Sequence, residues 1–304
     1  MTEMKLVEDT AAKIMSMEVR GALKIAVEAS KALLSVIEQG ATFDELVSAS
    51  DKLRDARPTA VSLPNAINYI LHLAEEAGKN EPTVAKAMLI ADVTSFIKEL
   101  EGTIDKIAEI GSRLIENGDV ILTHCNSKTV TSVLAKAKRD GKQFKVYACE
   151  TRPRYQGHIT VKDLMEAGVD VTLIVDSAAY YTMLHKDVKK VFVGADTVYA
   201  NGDIINKIGT SQVALAAKTA GVEFIVCTES IKFSPASMMG EVPEIEERES
   251  SEVTDMKEIK VFNPAFDVTP KEYVHMVVTE HGIIPPEAAY SVLKERFAWS
   301  FGED

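Results

Sequence analysis

The stretch GDVILTHCNSKTV, residues 118–130, decides the fold, because it is the first place where an apolar run leads into a helical pattern. A turn signal, Asn117-Gly118, precedes the run Val120-Ile121-Leu122, and helix-like sequence follows from Val130 to Lys138. The same alternation then repeats, with apolar runs at 145–148, 171–175, 191–193 and 224–226 and helix-like stretches at 161–167, 178–185 and 211–220. Strands that alternate with helices predict βαβ units, and right-handed crossovers place helices on both faces of a parallel sheet.

The part of the chain before this stretch has helical periodicity and no strand candidate. Apolar residues recur at helical spacing from Val7 to Gln39, with Gly40 as the stop, and Thr42 and Glu45 have the spacing of a capping box. Further helical patterns cover 65–77 and 82–116. We therefore predict an α/β fold, in which an N-terminal helical domain, 1–115, is followed by a Rossmann-like, mostly parallel sheet domain, 116–304, that carries most of the active site.

The end of the chain is less regular. Glutamates cluster within 241–258, which predicts an exposed loop or a solvated helix face. Residues 261–269 are typical of an extended strand, and helix-like sequence runs from Pro286 to Trp299.

Composition and motifs exclude several classes of protein. The net charge of −12 argues against a nucleic-acid partner, which needs a basic face. No apolar run approaches the roughly 20 residues that span a bilayer, and no signal peptide is visible, so we expect a cytoplasmic protein without a membrane partner. The three cysteines include no Cys-x-x-Cys pair, and dinucleotide, P-loop and His-Glu-x-x-His motifs are absent, so we expect neither a metal nor a cofactor.

Two reactive side chains follow predicted strands. Ligands of open parallel sheets bind beyond the carboxyl ends of the strands, so these positions are the first candidates for a site. Cys125 comes after the first strand, where a helix start favours an anion and a lowered thiol pKa; Ser127 and Lys128 would add a hydroxyl and a cation. Asp196 comes after the fourth strand and Gly194-Ala195. The alternatives are a buried thiol beside an ordinary N-cap, and a carboxylate that caps a turn.

Basic residues at other strand ends could bind a phosphate. Arg152-Pro153-Arg154 follows the second strand and offers bidentate guanidinium groups, or a surface ion pair with Glu150. Asn206, Lys207 and Lys232 could bind an anion or a sugar hydroxyl, although a lone lysine is usually a surface residue. In the helical half, Arg20 with Gly21-Ala22 and Arg57 with Pro58 could approach the sheet, or be surface arginines near helix breaks.

Several motifs together carry a resemblance to a known superfamily. They are RPTAV (57–61), ETRPRYQG (150–157), GAD (194–196), NGD (201–203), NKIGT (206–210) and TEHGIIPP (279–286). The chain resembles, over essentially its whole length, the superfamily that joins the alpha, beta and delta regulatory subunits of the exchange factor for eukaryotic initiation factor 2 with a set of sugar-phosphate isomerases. That resemblance implies the two-domain fold predicted above.

The resemblance also sorts the branches of the superfamily. The regulatory subunits generally lack the cysteine and tend to carry Glu at the Asp196 position, so this chain looks like an enzyme. Methylthioribose-1-phosphate isomerases usually read Cys-Asn-Thr-Gly where this chain has Cys125-Asn126-Ser127-Lys128. The extra cation fits a second phosphate, so the chain resembles the archaeal ribose-1,5-bisphosphate isomerases, a family that forms hexamers built from dimers. A homo-oligomer and a sugar bisphosphate substrate are therefore implied.

The resemblance assigns roles to residues. It implies that Arg20, Gly21, Ala22 and Arg57 contact the substrate phosphate region and that Asn206, Lys207 and Lys232 line the site; the local chemistry adds Ser127, Lys128 and Arg154. Our hypothesis is that a Cys125 thiolate removes the C2 proton while a protonated Asp196, favoured by an apolar environment, is the acid for the ring oxygen. The alternatives are a non-catalytic regulatory subunit and a methylthioribose-1-phosphate isomerase. His124 either tunes Cys125 or packs.

Overall fold

The structure is a computed structural model and describes residues 3–57, 61–240 and 245–297. The chain divides into two compact units, one up to Thr103 and one from Ile104 onward. The first unit is helical, and its last helix continues into the second. The helices are α1 (Glu3–Met15), α2 (Ala22–Glu38), α3 (Phe43–Asp55), α4 (Ser62–Ala77) and α5 (Pro82–Ser112).

The prediction of one helix from Val7 to Gln39 is wrong, because the chain breaks between α1 and α2. Met17 and Gly21 both have positive φ, 60° and 88°, and Gly21 is the N-cap of α2. A left-handed backbone cannot continue an α-helix, and glycine adopts it readily because it has no Cβ. Other predicted boundaries are confirmed: Gly40 has positive φ just past α2, and Thr42 and Glu45 form the capping box of α3.

The second unit contains the predicted alternation of strands and helices. Its strands are β1 (Val120–Thr123), β2 (Lys145–Cys149), β3 (Asp170–Ile174), β4 (Lys190–Val193), β5 (Thr197–Val198), β6 (Ile204–Lys207), β7 (Glu223–Cys227), β8 (Phe266–Thr269), β9 (Met276–Thr279) and β10 (Gly282–Ile284). Its helices after α5 are α6 (Lys128–Arg139), α7 (Gln156–Glu166), α8 (Ala179–His185), α9 (Thr210–Ala220) and α10 (Ala289–Arg296). Every strand and helix predicted between 118 and 226 is present, with bounds shifted by a few residues.

The main sheet has seven strands in the order β10-β9-β7-β4-β1-β2-β3 and is parallel except for β10. The strand β1 lies between β2 and β4, so the loops that follow these three strands meet at one edge. A buried apolar cluster beneath that edge contains Ile121, Phe192 and Ile225 from the strands and Val133 and Leu134 from α6. Parallel strands covered by helices are apolar throughout, which explains why their sequence signal was clear.

A second, three-stranded antiparallel sheet, β5-β6-β8, was not predicted. The predicted extended region 261–269 contributes only its last four residues, as β8, and β8 pairs with β6 so that Lys207 is opposite Phe266. The strands β9 and β10 were also missed; they form an antiparallel pair with no helical pattern between them. The small sheet places Asn206 and Lys207 beyond the end of β4.

The acidic stretch is a loop with one short turn of 3-10 helix at Ser250–Glu252, which confirms the loop prediction for the part that the structure describes. Residues 241–244 lie outside the described residues. The loop is not simply solvated, because Glu246 and Glu252 pair with Arg248. The C-terminal prediction is confirmed by α10, with the last predicted positions, 298–299, outside the described residues. Across the ranges that the structure describes, no helix is long and apolar enough to span a bilayer.

Candidate active site

Cys125 follows β1 in a left-handed conformation, with φ of 69°. The N-cap of α6 is Ser127, whose Oγ accepts a hydrogen bond from the Val130 amide at 3.3 Å. The serine therefore caps the N-terminus of α6. The role of Ser127 in a substrate site stays a prediction. Cys125 lies two residues earlier, and the backbone N–H that acts on its thiol is that of Asn126.

The expected lowering of the Cys125 pKa is wrong for this structure. Burial raises the pKa of the thiol to about 12, and the Asp196 carboxylate is the second cause in the same direction. The backbone N–H of Asn126 and the Lys207 ammonium oppose these effects but do not outweigh them. Although part of the residue reaches solvent, the thiol is densely surrounded by protein atoms, and desolvation disfavours a thiolate.

Asp196 is brought to Cys125 by a close approach of two loops. A Cβ on Gly194 would lie 2.6 Å from Ser127 Oγ, so only glycine lets the end of β4 come this near to the end of β1. The Asp196 amide donates to the Ile205 carbonyl at 2.9 Å, which fixes the loop against β6. The carboxylate then lies close enough to Cys125 to raise the pKa of the thiol.

Lys207 completes the cluster. Its pKa is lowered by burial, and both Cys125 and Asp196 act in the opposite direction, so the ammonium lies near enough to both groups to interact electrostatically. Its Nζ also lies 4.5 Å from the centroid of the Phe266 ring. Asn206, the preceding residue of β6, is buried, and its Nδ2 donates to Thr210 Oγ1 at 3.0 Å. Successive strand residues point to opposite faces, so the Asn206 side chain turns toward α9.

His124 is buried against the start of α9. Its Nδ1 lies 3.2 Å from Thr210 Oγ1, and burial lowers the pKa of the ring to about 4. The imidazole is therefore neutral at pH 7 and gives no positive charge to the thiol, which favours the packing alternative. The ring lines a cavity of about 150 Å³ together with Asp176, Tyr180 and Gln212.

Lys232 is buried and bound to protein groups. Its Nζ lies 2.6 Å from Glu229 Oε2 and donates to the Ala195 carbonyl at 2.9 Å. Glu229 accepts a further hydrogen bond from Thr129 Oγ1 at 2.7 Å. The lysine thus holds the residue before Asp196.

Two other predicted cations lie at the exposed rim of this unit. Lys128 Nζ is 2.7 Å from Asp163, and its side chain is 66% exposed. Arg154 Nη1 is 3.4 Å from Glu252. Both retain hydrogen-bonding capacity toward solvent, since each guanidinium or ammonium group has more donors than these contacts use.

The remaining predicted residues belong to the first unit. Arg20 is exposed, and its Nε donates to the Met17 carbonyl at 2.6 Å. Gly21 is the N-cap and Ala22 the first residue of α2. Arg57 lies just past α3, and the following 58–60 of its motif are outside the described residues. Their role in a site stays a prediction.

Gln156 was missed by the sequence analysis. It begins α7, and its side-chain Oε1 is buried without a hydrogen-bond partner. Gly157 beside it packs so tightly that a Cβ would lie 1.8 Å from the Cys149 carbonyl oxygen. A buried acceptor without a partner is unusual and marks a place where a ligand could donate. The only sequence signal was its position before a glycine at a strand-end loop.

Arg248 was also missed, because it lies in the stretch interpreted as acidic loop. Its Nε is 3.1 Å from Glu246 Oε1, and its amide donates to the Asn263 carbonyl at 2.8 Å. Arg248 lowers and Glu246 raises the pKa of Lys207, so this loop lies near the cluster of Cys125, Asp196 and Lys207. Across the residues that the structure describes, no three or more His, Cys, Asp or Glu side chains are grouped to hold a metal ion.

The geometry can be compared with known proteins. The chain matches the initiation factor 2 subunit family over residues 18–286. It belongs to this family. It is 48% identical to the ribose 1,5-bisphosphate isomerase of Archaeoglobus fulgidus, covering 98% of this chain and 95% of that protein. Five further archaeal proteins of that name are 39–44% identical.

Two solved structures of the family have the same fold. The 5-methylthioribose 1-phosphate isomerase of Pyrococcus horikoshii has a TM-score of 0.78 and 31% identity, covering 96% of this chain and 88% of that one. The translation initiation factor eIF-2B of the same organism has a TM-score of 0.76 and 28% identity, covering 92% and 97%. The family therefore contains both isomerases and initiation factor subunits, and the site chemistry must distinguish them.

Proposed function

We propose that this protein is a sugar-phosphate isomerase that converts ribose 1,5-bisphosphate to ribulose 1,5-bisphosphate. The observation that carries the proposal is the near full-length similarity to archaeal proteins of that name, combined with a thiol, a carboxylate and an ammonium group in one cluster. A regulatory subunit has no need of Cys125, Asp196 and Lys207 at one strand edge.

Cys125 and Asp196 suffice for the proton transfers of this isomerisation. The substrate carries phosphate on O1 and cannot open to a free aldehyde, so the ring oxygen must be protonated as its bond to C1 breaks. In the proposed mechanism Asp196 gives that proton and Cys125 removes the C2 proton, which forms an enol at C1 and C2. Cys125 then returns its proton to C1 while Asp196 accepts the proton of the C2 hydroxyl, so both groups regain their initial forms.

The raised pKa of Cys125 means that the thiol must lose its proton before the C2 step. Moving that proton to Asp196 removes the negative charge that is the second cause of the raised pKa, and Lys207 favours the resulting thiolate. We propose that Lys207 also stabilises negative charge that develops on the C2 oxygen. Neither step requires a redox cofactor.

We propose that the phosphates and hydroxyls of the substrate are bound by Arg20, Gly21, Ala22, Arg57, Ser127, Lys128, Arg154 and Asn206. Gln156 joins this set because its buried Oε1 is free to accept a substrate hydroxyl. Lys232 is proposed to act through Ala195 rather than on the substrate, since its ammonium group is bound to protein.

The test is to incubate the purified protein with ribose 1,5-bisphosphate and to assay ribulose 1,5-bisphosphate. We expect product with wild type, and losses of at least about a hundred-fold in kcat with Cys125→Ser and Asp196→Asn. Cys227→Ala, which alters a buried thiol at the end of another strand, is the matched control. Absence of product from wild type, or full activity in both site variants, contradicts the proposal.

Methylthioribose 1-phosphate is the alternative substrate, favoured by the fold of the P. horikoshii isomerase. Direct competition between the two sugar phosphates decides between them, because the better substrate suppresses turnover of the other in proportion to its kcat/KM. A protein that turns over neither sugar and captures initiation factor 2 would instead be a regulatory subunit.

We also propose that the protein is a cytoplasmic homo-oligomer built from dimers, up to a hexamer. The support is exposed apolar side chains on the edge strand β3 and on α8, where Leu173, Tyr181 and Leu184 are 42%, 64% and 53% exposed. Edge strands with exposed apolar residues are prone to association. Light scattering coupled to size-exclusion chromatography should give a mass that is a multiple of the chain mass of 33.2 kDa.

A further inference from the structure

Both main-chain polar groups of Cys125 are bound by threonine hydroxyls. The Cys125 amide donates to Thr151 Oγ1 at 2.9 Å, and the Cys125 carbonyl accepts from Thr160 Oγ1 at 2.8 Å. Thr151 lies beyond β2 and Thr160 on α7, and both are fully or almost fully buried. Two different elements therefore hold the backbone of one residue.

The proton of each hydroxyl has a fixed direction. Thr151 Oγ1 accepts from Cys125 and donates to the Cys149 carbonyl at 3.2 Å. Thr160 Oγ1 donates to Cys125 and accepts from Asn126 Nδ2 at 3.0 Å. Each hydroxyl thus uses its single proton and one lone pair, and an apolar side chain of the same shape would leave a Cys125 backbone group without its partner.

Thr151 is itself held by Asp176, which lies beyond β3. The Asp176 carboxylate accepts the amides of Thr151 and Arg152 at 2.8 and 2.7 Å. Thr151 has φ of 61°, a conformation that β-branched residues rarely adopt without external contacts. The ends of β1, β2 and β3 are in this way joined by hydrogen bonds that converge on Cys125.

We propose that Thr151 and Thr160 are positioning residues that hold Cys125 in its left-handed conformation and so direct its thiol toward the reacting carbon. The proposal rests on the proposed isomerase function of Cys125. A non-glycine residue at φ of 69° relaxes toward negative φ when its contacts are removed, and the Cβ–Sγ bond turns with it. A displacement of about 1 Å at a reacting group costs about a hundred-fold in rate.

The experiment compares Thr151→Val and Thr160→Val with Thr151→Ser and Thr160→Ser in the full-length protein. We expect the valine variants to lose about 30- to 100-fold in kcat with KM within about three-fold, and the serine variants to recover to within about three-fold of wild type. Thr131→Val is the control, because Thr131 is a buried α6 threonine whose hydroxyl bonds only the Lys128 carbonyl, 3.1 Å away. Melting temperatures establish that each variant is folded.

A second readout does not depend on isomerase activity. The rate at which iodoacetamide labels Cys125, followed by peptide mass spectrometry, should rise in the valine variants, because the released backbone exposes the thiol, and return in the serine variants. If wild type makes no ribulose 1,5-bisphosphate, the proposed function fails while this comparison still tests the positioning role. Wild-type kcat and labelling in the valine variants, or serine variants as impaired as valine, overturn the inference.

Asn126→Ala keeps the inference testable if a valine variant does not fold, since it removes only the amide that orients the Thr160 hydroxyl. A smaller fall in kcat and a smaller rise in labelling are expected. Wild-type values for both measurements in this variant count against the inference.

Discussion

Lys232 donates a hydrogen bond from Nζ to the Ala195 carbonyl, 2.9 Å away, and so holds the residue that directly precedes Asp196. The same ammonium group pairs with buried Glu229 at 2.6 Å. A lysine that sequence analysis assigned to the substrate is therefore bound within the protein, and its effect on catalysis should pass through the position of Asp196.

Replacing Lys232 by methionine is expected to lower both stability and kcat. Glu229 would keep its hydrogen bond from Thr129 but lose its counter-charge, and breaking a buried pair in this way costs about 3–5 kcal/mol. Urea unfolding gives the change in stability, and steady-state kinetics gives kcat. The double variant Glu229→Gln with Lys232→Met should recover most of the stability without recovering kcat, because the contact to Ala195 is still missing. Recovery of both would show that Lys232 contributes only to folding.

Asp196→Asn should lower the pKa of Cys125. The Asp196 charge is the second cause that raises this pKa, whereas Lys207 lowers it, so Lys207→Met should shift it upward. The rate of iodoacetamide labelling of Cys125 as a function of pH measures the shift, because only the thiolate reacts. We expect the profile to move to lower pH in Asp196→Asn and to higher pH in Lys207→Met. Profiles that move together, or not at all, mean that these charges do not act on the thiol.

The centre of the parallel sheet was predictable because β1, β4 and β7 are short, mostly buried apolar runs. Each run, such as Val191–Val193, lies between two helical patterns and is too short to be a helix itself, so a strand is predicted. The small sheet was not predictable, because β5 has two residues and β8 is separated from its partner β6 by more than fifty residues. The helix break at Gly21 was not predicted, because apolar residues keep their helical spacing on both sides of it. Such spacing gives no information about the backbone φ angle of a single residue.

The candidate site was predictable where position in the fold was enough. Cys125 and Asp196 each follow a strand of the main sheet, whose strand ends meet at one edge. Lys207 was a candidate only as a cation before a helix, because its strand β6 was not predicted. What the sequence could not give was the electrostatic environment: whether burial or the helix terminus decides the pKa of Cys125 depends on three-dimensional packing. Arg248 and Gln156 were missed for the same reason, since their relevance comes from neighbours distant in sequence.

His124 should make the protein less stable in mild acid. Its folded pKa of about 4 lies below the ordinary value of 6.5, so the unfolded chain binds a proton that the folded chain does not between these two pH values. The contribution of His124 to the free energy of unfolding has its full value above about pH 6.5 and decreases as the pH falls toward 4. At pH 5 the decrease is about 2 kcal/mol. Urea unfolding at pH 7.5 and pH 5 should show a smaller loss in His124→Gln than in wild type. An equal loss in both proteins would rule out this group as the cause.

Lys128 should affect binding of a bisphosphate more than folding. Its side chain is 66% exposed and pairs with Asp163, and exposed ion pairs contribute less than about 1 kcal/mol. Lys128→Ala is therefore expected to leave the melting temperature nearly unchanged while raising KM for ribose 1,5-bisphosphate by about ten-fold, the loss of one phosphate contact of about 1.4 kcal/mol. Asp163→Asn is the matched control: it removes the same ion pair but keeps the cation, so KM should stay near the wild-type value. If both variants raise KM equally, the ion pair rather than the lysine charge supports binding, and the second-phosphate role of Lys128 is wrong.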